Sequence, residues 1–201
     1  AHVPGHINLD LSKLKADFYT GACHKWMMTP KGCSFLYAKP EFQHMLEPLI
    51  ISWGYESDNP SSSKFFDYHQ FNGTRDFSAF LTVPKAVEFM NKHDWKSISS
   101  RCKSSLLNQA PKLFDLLNVE PLAPLTNEFF GQLCSVEINT NFPEKLKQLL
   151  FEKHKIEIPI MLQGHKKYIR ISYQAFNEIR DTEYLIYSLK DIASTTRLLT
   201  I

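Results

Sequence analysis

The sequence has no apolar run near the roughly 18 residues a membrane-crossing helix needs, so no membrane span is expected. It has only four cysteines, Cys23, Cys33, Cys102 and Cys134, set far apart with no CxxC pair. No histidines stand at metal-ligand spacing. Zinc-ribbon and dithiol redox chemistry are therefore excluded, and reduced thiols in a cytoplasmic protein are expected. An excess of charge of one sign is also missing: 23 Lys and Arg oppose 21 Asp and Glu, for a net charge of +2. Nothing there draws the chain to nucleic acid. The short basic runs, Lys145-Leu146-Lys147 and His165-Lys166-Lys167, read as solvated faces. Ala1 to His6 lack the apolar stretch of a secretory leader, so none is expected. There is no internal repeat.

What is present is an ordinary globular composition, 43% hydrophobic and 22% charged over 201 residues. That is enough for one or two domains with a sizeable core. Residues 7–19 read as a helical turn capped by Asp10 or Ser12. "DFYTG" (17–21) and "SFLYA" (34–38) read as buried strands on either side of a loop. Residues 54–76 read as a long loop whose aromatics argue against disorder. A helix follows over 78–93, kinked at Pro84, and one or two helices over 95–118. A domain boundary is expected near Pro121 to Pro124. Beyond it the pattern becomes strand 131–138, helix 143–155, strands 156–162 and 167–173, and helix 178–192. The apolar stripe of that last helix is expected at Ile179, Leu185, Ile186 and Leu189. This is a compact α+β domain, with a tail over 193–201.

Lys25, in "GACHKW" (21–26), is the first candidate for chemistry. A lysine whose neighbours desolvate its amine becomes a nucleophile, and His24 and Trp26 are placed to do so. A solvated pair with His24 is the commoner meaning of such a dipeptide. Local chemistry leaves both open.

The longer stretch "DFYTGACHKWMMTPKGCSFLYAKPE" resembles the lysine segment of the class V aminotransferase family of pyridoxal-phosphate enzymes. The matching features are Asp17-Phe18-Tyr19, the small-residue turn Gly21-Ala22, His24-Lys25, Pro30-Lys31-Gly32 and Phe35-Leu36-Tyr37. The His-Lys-Trp form is most similar to the isopenicillin N epimerase-like branch. The resemblance runs to about Ile192. It implies an α/β fold: the end of a large cofactor-binding domain over 1–121, then a small α+β domain over 122–192. It implies pyridoxal 5'-phosphate as cofactor and an amino-acid-like substrate. Lys25 would form the Schiff base and move the α-proton, and His24 would meet the cofactor phosphate. In "NGTRD" (72–76), Gly73 and Thr74 match a loop that reaches the phosphate in the neighbouring subunit, which implies a homodimer. Read from residues alone, this is a plain Asn-Gly turn. In "YIRISYQAFN" (168–177), Arg170 matches the arginine that clamps the substrate carboxylate. His2 matches the residue that touches the cofactor's ring oxygen.

The family's ring-pairing aspartate and phosphate-binding turn would lie before Ala1. The chain is therefore expected to correspond to the C-terminal half of such an enzyme. The alternative is a truncated, non-catalytic fragment or a half-enzyme that needs a separate N-terminal chain. Within the enzyme reading, epimerase or racemase, aminotransferase and carbon–sulfur lyase stay open. Cysteine desulfurase activity is disfavoured, because no cysteine lies between Ser135 and Arg170 to carry the persulfide.

Overall fold

A computed structural model describes all residues, 1–201. Packing divides the chain into two compact units, Ala1–Trp95 and Lys96–Ile201. The division falls after the first residue of the long helix that starts at Trp95, and the rest of that helix packs into the C-terminal unit's core.

In the first unit, α1 (Leu11–Leu14) is capped by Asp10, whose Oδ1 accepts from the Ser12 N–H at 3.0 Å. β1 (Phe18–Ala22) and β2 (Ser34–Ala38) form a two-stranded antiparallel ladder from Phe18↔Ala38 to Ala22↔Ser34. The expected strands are present, but they are not buried as expected. Ala22 and Ala38 are covered, while Phe18, Phe35 and Leu36 are exposed and no third strand pairs with either edge. Apolarity in these segments marks a face without a cover in this chain. The same holds for the following segment, where Met45, Leu49, Ile51 and Trp53 are exposed.

The stretch read as one long loop contains a helix, α2 (Lys64–His69). Ser63 is its cap and accepts from the Phe66 N–H at 3.3 Å. The serine run 61–63 looks like loop composition, yet its last member is a start signal. The chain before α2 lies hard against it: a Cβ on Gly54 would collide with the Asp67 carbonyl oxygen. Tyr55 rests on Tyr68, with ring centroids 4.6 Å apart. Pro84 does not kink one helix. It sits in the first turn of α4 (Val83–Lys92), which follows the short α3 (Ser78–Leu81), and the missing N–H is harmless there.

The second unit is built on α5 (Trp95–Leu117), a single helix that runs through Pro111. Its sheet has the order β3–β5–β4, antiparallel throughout, from β3 (Leu133–Ile138), β4 (Ile160–Gln163) and β5 (Lys166–Ser172). Alternation puts Cys134, Val136, Ile138, Ile169 and Ile171 on one face. That face meets Leu106 and Leu113 of α5, Leu146 and Leu150 of α6 (Pro143–Glu152), and Leu185, Leu189 and Ile192 of α7 (Ile179–Thr195). β4 begins four residues later than expected, after Pro159. Ile179 lies on the exposed side of α7, and the buried face is completed by Thr182, Ser188 and Ile192. Thr182 belongs there because its hydroxyl meets the Tyr173 hydroxyl at 2.7 Å. The tail is also part of the fold: Leu199 is buried, and the Thr200 N–H donates to the Asn139 carbonyl at 3.0 Å.

Candidate cofactor and catalytic site

Lys25 stands on the connection between β1 and β2, which the ladder closes one rung further through Cys23 N–H to the Cys33 carbonyl at 3.0 Å. Cys23 and Cys33 are buried beneath this loop with Ala79. Small side chains at 21 to 23 let the loop turn tightly, and the bulky Trp26 anchors it from below. The side chain of Lys25 is exposed. The expectation that Trp26 desolvates the amine is therefore corrected: the indole turns inward, 7% exposed, and leaves Lys25 in solvent.

Trp26 turns inward because the N-terminal segment receives it. Its Nε1–H donates to His2 Nδ1 at 3.1 Å. His6 stacks on the indole at 4.2 Å, only 20° from parallel, and its Nδ1–H donates to the His2 carbonyl at 3.1 Å. Gly5, at φ +78°, brings this segment so close that a Cβ would lie 2.6 Å from the Trp26 carbonyl carbon and oxygen. The Ala22 N–H also donates to the Ala1 carbonyl at 3.3 Å. His24 faces another way, with Nδ1–H donating to the Cys33 carbonyl at 2.8 Å. The structure thus gathers His2, His24 and Lys25 on one loop and the segment packed against it. Sequence reasoning did not find Trp26 or His6 as organisers; an aromatic and a histidine 20 residues apart give no periodic signal.

Gly73 and Thr74 lie on the connection between α2 and α3, so the plain hairpin turn is excluded: no strands flank it. Gly73 has φ +92° with open space where a Cβ would project, and Thr74 is exposed. No hydrogen bond ties them to the Lys25 loop. His69, on α2, packs its ring on Phe65 at 4.9 Å. In the second unit, Arg170 sits on β5 opposite Ser135, on the face away from the core. It is half-buried, and its Nε has no hydrogen-bond partner. A buried guanidinium N–H without a partner carries a desolvation cost that an anionic ligand relieves. The same unit has a hollow of about 380 Å³ lined by Arg101, Tyr173, Asn177 and Arg180, which includes none of these residues.

The residues of the first unit fit pyridoxal phosphate: an exposed primary amine is available for an aldehyde, the neighbouring imidazole of His24 for a phosphate, and the imidazole of His2 for a ring oxygen. Cys134 does not fit a sulfur-carrying role. It lies in the core, and burial pushes its thiol up to about 12. At pH 8 its thiolate share is then on the order of 10⁻⁴. An aromatic disulfide reagent is expected to leave Cys134 unmodified in the folded chain and to react with it promptly in denaturant; fast modification of the native form would put the thiol elsewhere.

The fold is that of the C-terminal part of a fold-type I pyridoxal-phosphate protein. The family model for class V aminotransferases matches residues 1–185, and the chain belongs to that family. The chain is 27% identical to an isopenicillin N epimerase of Amycolatopsis lactamdurans, over 96% of this chain and 51% of that protein. It is 28% identical to a probable chloroplastic L-cysteine desulfhydrase of Arabidopsis thaliana, over 90% of this chain and 41% of that one. Among solved structures, the apo cysteine desulfurase of Thermococcus onnurineus NA1 superposes with a TM-score of 0.78 at 18% identity, over 96% of this chain and 51% of that one. The chain spans about half the length of the relatives it matches. Pyridoxal 5'-phosphate is the family's cofactor. No helix is long and apolar enough to cross a membrane.

Proposed function

We propose that this chain is the C-terminal half of a pyridoxal-phosphate enzyme that acts on an amino acid or a small molecule bearing a free α-amine. The observation that carries the reading is the exposed side chain of Lys25 on the β1–β2 loop, between His24 and a Trp26 that holds His2. When bound, pyridoxal phosphate supplies an aldehyde for amines and a ring that accepts the electron pair left by α-proton loss. Lys25 would supply the primary amine that holds the cofactor through its aldehyde, and that amine would take and return the α-proton. His24, whose Nδ1–H donates to the Cys33 carbonyl, would have Nε2 left to meet the phosphate. Gly73 and Thr74 supply backbone and hydroxyl donors to the phosphate in a partner subunit of a homodimer. His2 meets the ring oxygen, and Arg170 holds the substrate carboxylate. Residues 1–121 are the end of the large domain and 122–192 the small one. A cytoplasmic location accords with four free thiols.

The test is the visible spectrum of the chain with pyridoxal phosphate, beside Lys25→Ala. A band present only in the wild type supports the assignment, and equal spectra reject it. Arg170→Met should raise KM for an α-carboxylate substrate about 10- to 100-fold, as expected for a lost charge-assisted contact. It should leave the cofactor band unchanged. A change in the band with KM intact would assign Arg170 to the cofactor instead.

A second reading is that this chain works as a half-enzyme with a separate N-terminal chain, which would add strands along the ribbon. The β1–β2 ribbon has two open edges and an exposed apolar face. Co-expression with the N-terminal half of an epimerase relative decides between them. Activity only in the mixture supports the half-enzyme, and activity of this chain alone excludes it.

A further inference from the structure

Three histidines surround the Lys25 loop, and each has one ring nitrogen committed to a partner of known polarity. His6 and His24 each face a carbonyl oxygen through Nδ1, at 3.1 and 2.8 Å. A carbonyl only accepts, so both carry hydrogen on Nδ1. His2 is the reverse. Its Nδ1 faces the indole Nε1–H of Trp26 at 3.1 Å, and an indole N–H only donates. Nδ1 of His2 must therefore hold a lone pair, which leaves the ring neutral with its hydrogen on Nε2.

We propose that Trp26 is a positioning residue that fixes His2 as the neutral Nε2–H tautomer, making it a hydrogen-bond donor toward a deprotonated ring oxygen of the ligand. The donor role rests on the reading above that His2 meets the cofactor's ring oxygen; the tautomer rests on geometry alone. The indole is itself held. It is buried, its face is stacked by His6, and its backbone is pressed by Gly5, where any Cβ would collide. His6 also grips the His2 carbonyl, so one ring sets the position of both the indole and the His2 backbone. The tryptophan after Lys25 thus acts through its nitrogen as well as its bulk. A phenylalanine there would keep the stack and lose the assignment of the proton.

The test separates the two parts. In ¹⁵N-labelled chain, long-range proton–nitrogen correlations of the imidazoles report tautomers, with His2→Gln identifying the His2 signals. The expected wild-type pattern is Nε2 protonated and Nδ1 unprotonated at His2. In Trp26→Phe that pattern should collapse toward a mixture, with His24 unchanged. Hydrogen on His2 Nδ1 in the wild type, or an unaltered pattern in Trp26→Phe, overturns the inference.

Titration with pyridoxal 5'-phosphate then reads the donor role. Trp26→Phe should raise the dissociation constant about 10-fold, the scale of one hydrogen bond to a charged group. His2→Gln should abolish that sensitivity, because an amide carries its own N–H whatever residue 26 is. A Trp26→Phe penalty that persists in the His2→Gln background shows bulk packing and overturns the positioning role. If the wild type shows the tautomer but binds no pyridoxal phosphate, the cofactor reading of His2 fails while the tautomer stands.

Discussion

Lys25→Ala is expected to erase the covalent capture of pyridoxal phosphate at the β1–β2 loop. Borohydride reduction of the wild-type chain with the cofactor should fix a pyridoxyl group on one tryptic segment, the one containing Lys25. Exposed lysines such as Lys13 and Lys85 carry ion pairs with Asp10 and Glu88 and should label only in proportion to free aldehyde. In the variant the specific label should vanish while the scattered background remains. With the N-terminal half supplied, α-proton exchange of an amino acid should fall by at least about 10²–10⁴-fold, the contribution of a positioned proton carrier. Saturating label on a different lysine would move the catalytic assignment there. Lys25→Arg is the useful companion: it keeps the charge and cannot form the imine under these conditions, so it should fail as completely as alanine.

The second large effect is one of stability, in the other unit. Leu189 lies at the centre of α7 with no exposed surface, in the cluster formed by α5, α6, α7 and the three-stranded sheet. Leu189→Ala should cost about 2–5 kcal/mol, from lost transfer energy and the cavity left behind. Hydrogen exchange is the appropriate readout, because it resolves the two units. Amides of β3, β5 and α7 should lose protection together, whereas those of β1 and β2 should keep theirs. A loss spread evenly over both units would show that they unfold as one. Tyr187, two residues away on the exposed side, is the control, and Tyr187→Ala should stay within about 0.5 kcal/mol.

The sequence made the regular parts of this fold legible for physical reasons. β3 alternates and buries every second residue, so its pattern shows on the chain. α6 announces itself with Pro143 in its first turn. α2 stayed hidden because six residues are too few for a helical period and its cap sits in a serine run. Ile179 misled because a stripe counted by apolarity overlooks Thr182 and Ser188, which are buried on α7. At the site, Lys25 and His24 were legible as a motif, and no rule of spacing tied Trp26 to His2. That contact spans 24 residues and depends on Gly5 at a backbone angle other residues avoid. The solvent exposure of Lys25 was misjudged for the same reason: neighbours in sequence do not say which way an indole points.

The β1–β2 ribbon has a practical consequence. A pair of strands with both edges open and Phe35 and Leu36 bare is a template that takes up any compatible strand. The loop that carries Lys25 is the closed end of that ribbon. How well the lysine is held therefore depends on what lies along those edges.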